Sequence, residues 1–263
     1  MIIIDNIVAQ IMCYNLIKGD INMKKFGVIG LVVCICLLTG CESHNEGVSY
    51  IKKQESLDTK ELSKHLTNKR IEEKLSLVSE GKLDVFSMFE DYAIYGDSRV
   101  YGFASYGYLP WNRVFADAGN TVLNISDYSE ALKEINPSNI YFSYGVNDMG
   151  LDLKTENGTY GDLYEEKVKG VLEICPNANI FINSIVCPTP AAVEEHSEWS
   201  KTDDYNSQLQ EMCQRNGWNY VDISDITNHG EDKYYQEDGV HYIQDLYPVW
   251  AERMIGETIK VIG

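Results

Sequence analysis

The chain predicts an α/β fold, a central parallel sheet of about five strands with helices on both faces. Three observations predict it. Strand-like and helix-like patterns alternate from residue 91 to residue 259. The strand-like stretches are short and apolar, as in strands buried on both sides. Three motif residues, Ser98, Gly119 and Asn147, fall just after strand patterns, and open parallel sheets hold ligands beyond those strand ends.

The elements follow in order. Residues 91–95 form a strand running into Gly96, and a helix can start at Ser98. Residues 113–118 are a second strand, and 126–135 a helix stopped by Asn136-Pro137. Residues 139–144 (Asn-Ile-Tyr-Phe-Ser-Tyr) are a third strand, rich in β-formers. A helix over 162–174 ends before Pro176, and 178–186 is a fourth strand. Residues 187–203, which begin Cys-Pro-Thr-Pro, read as a long loop able to shape a pocket. A helix over 201–216 is closed by Gly217, a good C-cap. Residues 218–223 are a fifth strand, and 246–259 the last helix, with Pro248 in its first turn.

The 263 residues, 44% of them hydrophobic, suffice for one medium domain with extras. The net charge of −18 argues against nucleic acid, whose phosphates require Lys and Arg, and against anionic lipid surfaces. Cys13, Cys34, Cys36 and Cys41 lie early; Cys175, Cys187 and Cys213 are widely spaced and read as buried small hydrophobes. There is no Cys-x-x-Cys and no glycine-rich phosphate loop, so neither a metal nor a cofactor is expected.

The N-terminus reads as an address. Met23-Lys24-Lys25 is a basic start, residues 26–38 are almost wholly apolar, and Leu38-Thr39-Gly40-Cys41 closes the run. At about 13 residues the run is shorter than the roughly 20 of a membrane span. Its ending resembles the bacterial lipobox, which implies lipid attachment at Cys41 and an extracytoplasmic, membrane-anchored protein; an ordinary signal peptide or an uncleaved anchor is the other reading. Residues 1–22 have no signal logic, so translation is expected to begin at Met23. Residues 41–85, rich in Lys, Glu and Ser, read as a polar, partly helical tether, with Leu57, Leu62, Leu66 and Ile71 at helical spacing. The main domain is then 86–263.

Four motifs carry the chemistry: Gly96-Asp97-Ser98, Gly119, Gly145-Val146-Asn147-Asp148 and Asp238-Gly239-Val240-His241. Ser98 at a strand end can be a nucleophile once a base takes its proton. His241 can be that base, with Asp238 three residues earlier reaching its other ring nitrogen. Among the other histidines, His44 and His65 lie in the tether, His196 in a polar loop, and His229 after Asp225 is the rival. The Gly119 amide, the Asn147 side chain and the Ser98 amide can hold an oxyanion. Taken singly, each motif is equally a turn or a helix cap.

Together the motifs resemble the SGNH hydrolases, the GDSL esterase/lipase superfamily. Ser98, Gly119, Asn147 and His241 match the four name-giving residues, and Asp238 the triad aspartate. The resemblance implies a flavodoxin-like three-layer α/β/α sandwich, a metal-independent serine mechanism and an exposed site. The surroundings Tyr144-Gly-Val-Asn-Asp-Met and Glu237-Asp-Gly-Val-His-Tyr look like bacterial carbohydrate-esterase members. The chain departs from the family at Arg99, where Leu is usual, which bears on substrate contacts. Trp111, Trp199 and Tyr242 are further substrate-contact candidates, since aromatic faces suit sugar rings. The expected activity is hydrolysis of acyl esters, acetyl on carbohydrate. The alternatives are a lysophospholipase or other acyl hydrolase or transferase on the same residues, and a lipid-anchored binding protein with a dead site.

Overall fold

Among the described residues five short apolar strands make one sheet. They are β1 (Tyr92–Gly96), β2 (Val114–Ala116), β3 (Asn139–Ser143), β4 (Asn179–Asn183) and β5 (Asn219–Val221), in the spatial order β2-β1-β3-β4-β5. Every neighbouring pair is parallel. The computed structural model describes residues 45–55, 59–156, 158–227 and 232–262. The expected start at Met23, the 23–40 signal, Cys41, His44, Leu57 and His229 lie outside them.

Successive side chains of a strand point to opposite faces. In β1, Tyr92 and Ile94 therefore enter one core, and Ala93 and Tyr95 the other. The first core is covered by α3 (Ser98–Ser105), through Val100 and Phe103, and by α9 (Leu246–Ile262), through Leu246, Trp250 and Met254. The second is covered by α4 (Ser129–Ile135), α6 (Tyr160–Ile174) and α8 (Thr202–Asn216), through Leu132, Val168 and Leu209. This is the three-layer sandwich expected, and Gly217 ends α8 in the left-handed conformation.

Several boundaries differ from the sequence pattern. The helix expected over 126–135 starts upstream as a 3-10 segment, Val122–Tyr128, because Thr121 and Asn124 form a capping box there. The apolar pattern of β4 continues to Val186, yet pairing stops at Asn183. Beyond it the Ile185 amide and carbonyl bond to the Asn206 side chain. The segment expected as a loop over 187–203 holds α7 (Pro190–Glu195) and a 3-10 turn, Ser197–Lys201. Thr189 caps α7 and Pro190 takes its first turn, where no amide is needed.

The chain divides into two units at His65. In the first lies α1 (Asn45–Glu55); α2 (Thr59–Ser79) is divided between the two. Within the second unit Leu75 and Val78 of α2 pack against the first core, and Lys74 pairs with Glu90 at 3.1 Å. Among the described residues no helix is long and apolar enough to cross a membrane.

The strand order reverses beside β1, between β1 and β3, where crossovers leave a crevice at the carboxyl ends. Gly96 is level with Ala116 of β2 and Ser143 of β3, so the loops after these three strands emerge at one height.

Candidate active site

Ser98 is delivered by the turn from β1 into α3. Asp97 caps the helix, its Oδ1 accepting from the Arg99 amide at 2.9 Å. That cap makes Ser98 the first helical residue, with its own amide among those left without an intrahelical partner. The positive end of the helix dipole sits at the same point. Burial pushes the Asp97 carboxyl above its ordinary value, against the lowering effect of the nearby Arg99. The Ser98 hydroxyl is half-buried and lies 2.9 Å from His241 Nε2.

His241 and Asp238 come from one tight turn. Gly239 has φ +66°, and a Cβ there would collide with Thr189 Oγ1, so the turn requires glycine twice over. Asp238 Oδ2 lies 2.6 Å from His241 Nδ1, while Oδ1 accepts from the amides of Val240 and His241, each at 2.9 Å. Burial raises the Asp238 carboxyl, but the bonds from the His241 ring and these two amides outweigh it and hold the group below its ordinary value. An ionised Asp238 accepts a hydrogen bond from Nδ1–H, which leaves Nε2 to accept from the Ser98 hydroxyl. The His241 and Asp238 side chains are 40% and 47% exposed, so the relay opens to solvent.

The loops after β2 and β3 meet beside it. Asn147, in α5 (Val146–Gly150), donates from Nδ2 to the Asn120 carbonyl at 2.9 Å. Asp148, the next residue, accepts the Val122 amide on Oδ1 at 3.0 Å. Two adjacent side chains thus grip the loop that follows Gly119. Gly119 is exposed with φ +76°, and its amide donates to no other described residue. Asp148 is fully buried, and that burial pushes its carboxyl up to about 7, against the Val122 bond. Asn120 and Asp148 were not singled out for the site by the sequence pattern. Asp148 belongs to the Gly145–Asp148 motif, where its type signals only a turn, and Asn120 acts through its backbone, which leaves no residue-type signal.

The model of the GDSL-like lipase/acylhydrolase family matches residues 94–247. The chain belongs to that family. It is an ester hydrolase, as its motifs imply. No individually curated protein matches it. Among solved structures it is similar to a family 3 carbohydrate esterase of Clostridium thermocellum, at 17% identity and TM-score 0.51, over 65% of this chain and 96% of that one. It is also similar to a catalytic mutant of an acetylxylan esterase from Geobacillus stearothermophilus, at 18% identity and TM-score 0.47, over 65% and 93%. A lipase/acylhydrolase from Enterococcus faecalis matches at 16% identity and TM-score 0.48, over 65% and 96%. At these identities the likeness is one of fold.

In this acylhydrolase two of the expected substrate contacts are corrected. Arg99 is 4% exposed and donates from Nε to the Val240 carbonyl and from Nη1 to the Val186 carbonyl, at 3.0 and 2.7 Å, while Nη2 is buried without a hydrogen-bond partner among the described residues. Tyr242 is 1% exposed and lies beneath that guanidinium, 4.8 Å from ring centroid to charge. Neither presents a face to solvent. Trp111 is exposed in a 3-10 turn leading into β2, and its ring packs edge-on against Tyr101 of α3 at 5.0 Å between centroids. Trp199 is near the site: its indole donates to the Val146 carbonyl at 3.0 Å, next to Asn147, and its ring packs on His196. Cys175 and Cys213 are buried, as read, while Cys187 is half-buried. Among the described residues no group of three His, Cys, Asp or Glu could hold a metal ion.

Proposed function

We propose that this protein is a secreted, lipid-anchored serine esterase that removes acetyl groups from carbohydrate. The observation that carries the reading is the continuous hydrogen-bonded line from Ser98 through His241 to Asp238, 2.9 and 2.6 Å long, at the switch point of the sheet. His241 Nε2 takes the hydroxyl proton as Ser98 Oγ attacks the acyl carbon. The tetrahedral oxygen is received by the Gly119 and Ser98 amides and the Asn147 side chain. His241 returns its proton to the leaving alcohol. Water, deprotonated by the same ring, then releases the acid and restores Ser98.

The substrate class has its own supports. Exposed His241 and Asp238 side chains suit an ester displayed on a polymer better than a long acyl chain needing an apolar tunnel. The carbohydrate esterase of Clostridium thermocellum shares the fold. The −18 charge suits neutral or cationic glycans and disfavours anionic lipid. Lipid attachment at Cys41, after the signal at 23–40, would hold the enzyme on the outer face of the cell membrane.

A serine-directed fluorophosphonate probe tests the chemistry. Native protein should be labelled at Ser98, and absence of labelling would favour a binding protein with a dead site. Aryl esters of increasing chain length test the acyl group: acetate should be turned over best, whereas a preference for long chains would point to a lysophospholipase. Cys41→Ser should move the protein from the membrane to the soluble extracytoplasmic fraction; unchanged membrane association would refute the anchor.

A further inference from the structure

We propose that Arg99 is a positioning residue that sets the gap between Ser98 and the His241 ring. The proposal rests on the esterase reading above. Arg99 directly follows Ser98 in α3, and its side chain grips both neighbours of His241. Its Nε donates to the Val240 carbonyl at 3.0 Å, and its guanidinium lies over the Tyr242 ring at 4.8 Å. Its Nη1 donates to the Val186 carbonyl at 2.7 Å, which ties the same planar group to the segment after β4. Its own carbonyl accepts from the Tyr247 hydroxyl at 2.8 Å, at the start of α9.

Nucleophile and base are therefore joined by a second bridge besides their own hydrogen bond. The Tyr106 hydroxyl and the Gln236 amide also hold this segment, at the Tyr242 carbonyl, 3.1 and 3.0 Å away. Among these groups only Arg99 reaches the Val240 carbonyl on the near side of His241. A guanidinium offers several donors in a rigid plane, whereas an ammonium is a point charge on a flexible stem. In a dry setting, charge-assisted bonds of this kind are strong and directional. The Asp238–His241 pair lies within one short segment, so Arg99 acts on the distance to Ser98 and not on the pair.

The test uses the whole chain carrying Arg99→Lys, and separately Arg99→Leu, assayed well below their melting temperatures. A misplacement of about 1 Å can cost about 10²-fold in rate. The expected result is a fall of about 10- to 100-fold in kcat for an aryl acetate, with KM little changed. The rate of fluorophosphonate labelling should fall in parallel. The downfield proton resonance of His241 Nδ1 should persist. Arg99→Lys should be impaired nearly as much as Arg99→Leu, since lysine restores charge but not the planar fork. A purely structural arginine would lower the melting temperature and leave these rates intact. Full kcat in Arg99→Lys would overturn the proposal even if Arg99→Leu fails to fold. Wild-type protein that takes no label would instead overturn the esterase reading itself.

Discussion

The side-chain amide of Asn147 donates one hydrogen to the backbone carbonyl of Asn120 at 2.9 Å. A primary amide has two hydrogens. This bond fixes the amide plane and leaves the second hydrogen for a substrate oxygen. Asn147→Ala should lower kcat by about 10²–10³-fold, the loss typical of one oxyanion donor. Steady-state kinetics on an aryl acetate decide it; near-native kcat would remove Asn147 from the mechanism.

Ser98 and His241 touch each other across the site, and neither side chain is needed by the core. Ser98→Ala and His241→Ala should abolish turnover while melting temperature and circular dichroism stay unchanged. Asp238→Asn should retain the fold and lose about 10²–10⁴-fold in kcat, because an amide there favours the wrong ring tautomer. Substantial turnover by Ser98→Ala would exclude the covalent route.

Asp148 ought to make stability depend on pH. Its folded carboxyl keeps a proton up to about 7, whereas an unfolded aspartate loses it near about 3.9. Between those values the folded chain holds more protons, so the contribution favours folding at the acidic end and is lost as pH rises through the window. Asp148→Asn keeps an oxygen for the Val122 amide and cannot titrate. The melting temperature of the wild type relative to Asp148→Asn should therefore fall between about pH 5 and about pH 7.5. A constant difference across that range would show that the carboxyl ionises normally.

Gly239→Ala should damage activity and stability together. The positive φ alone costs about 1 kcal/mol or more for an L side chain, and the new methyl would strike Thr189. Because Asp238 directly precedes this position and His241 follows two residues later in the same turn, kcat should drop along with the melting temperature. Calorimetry and kinetics on the same sample check it; a variant with unaltered kcat would show that the turn tolerates a shift.

Much of this was legible in the chain because the strands are buried on both faces, so runs such as residues 139–144 could hardly be anything else. Motif residues were legible where type and position coincide, as at Ser98 and His241. Boundaries were less so, since the capping pair Thr121–Asn124 and the side chain of Asn206 overrode apolar periodicity. Two of the substrate contacts failed for a related reason. Arg99 and Tyr242 look like surface recognition groups by type, but burial depends on partners far along the chain, here Val186 and Val240.

The sheet ends on both sides in strands only three residues long, β2 and β5. Exposed strand edges are the usual template for one protein molecule to zip onto another, and stubs this short offer few backbone groups to copy. Molecules meeting edge to edge therefore find few backbone groups to pair. With little to grip and like charge on every neighbour, they would stay individually free to work.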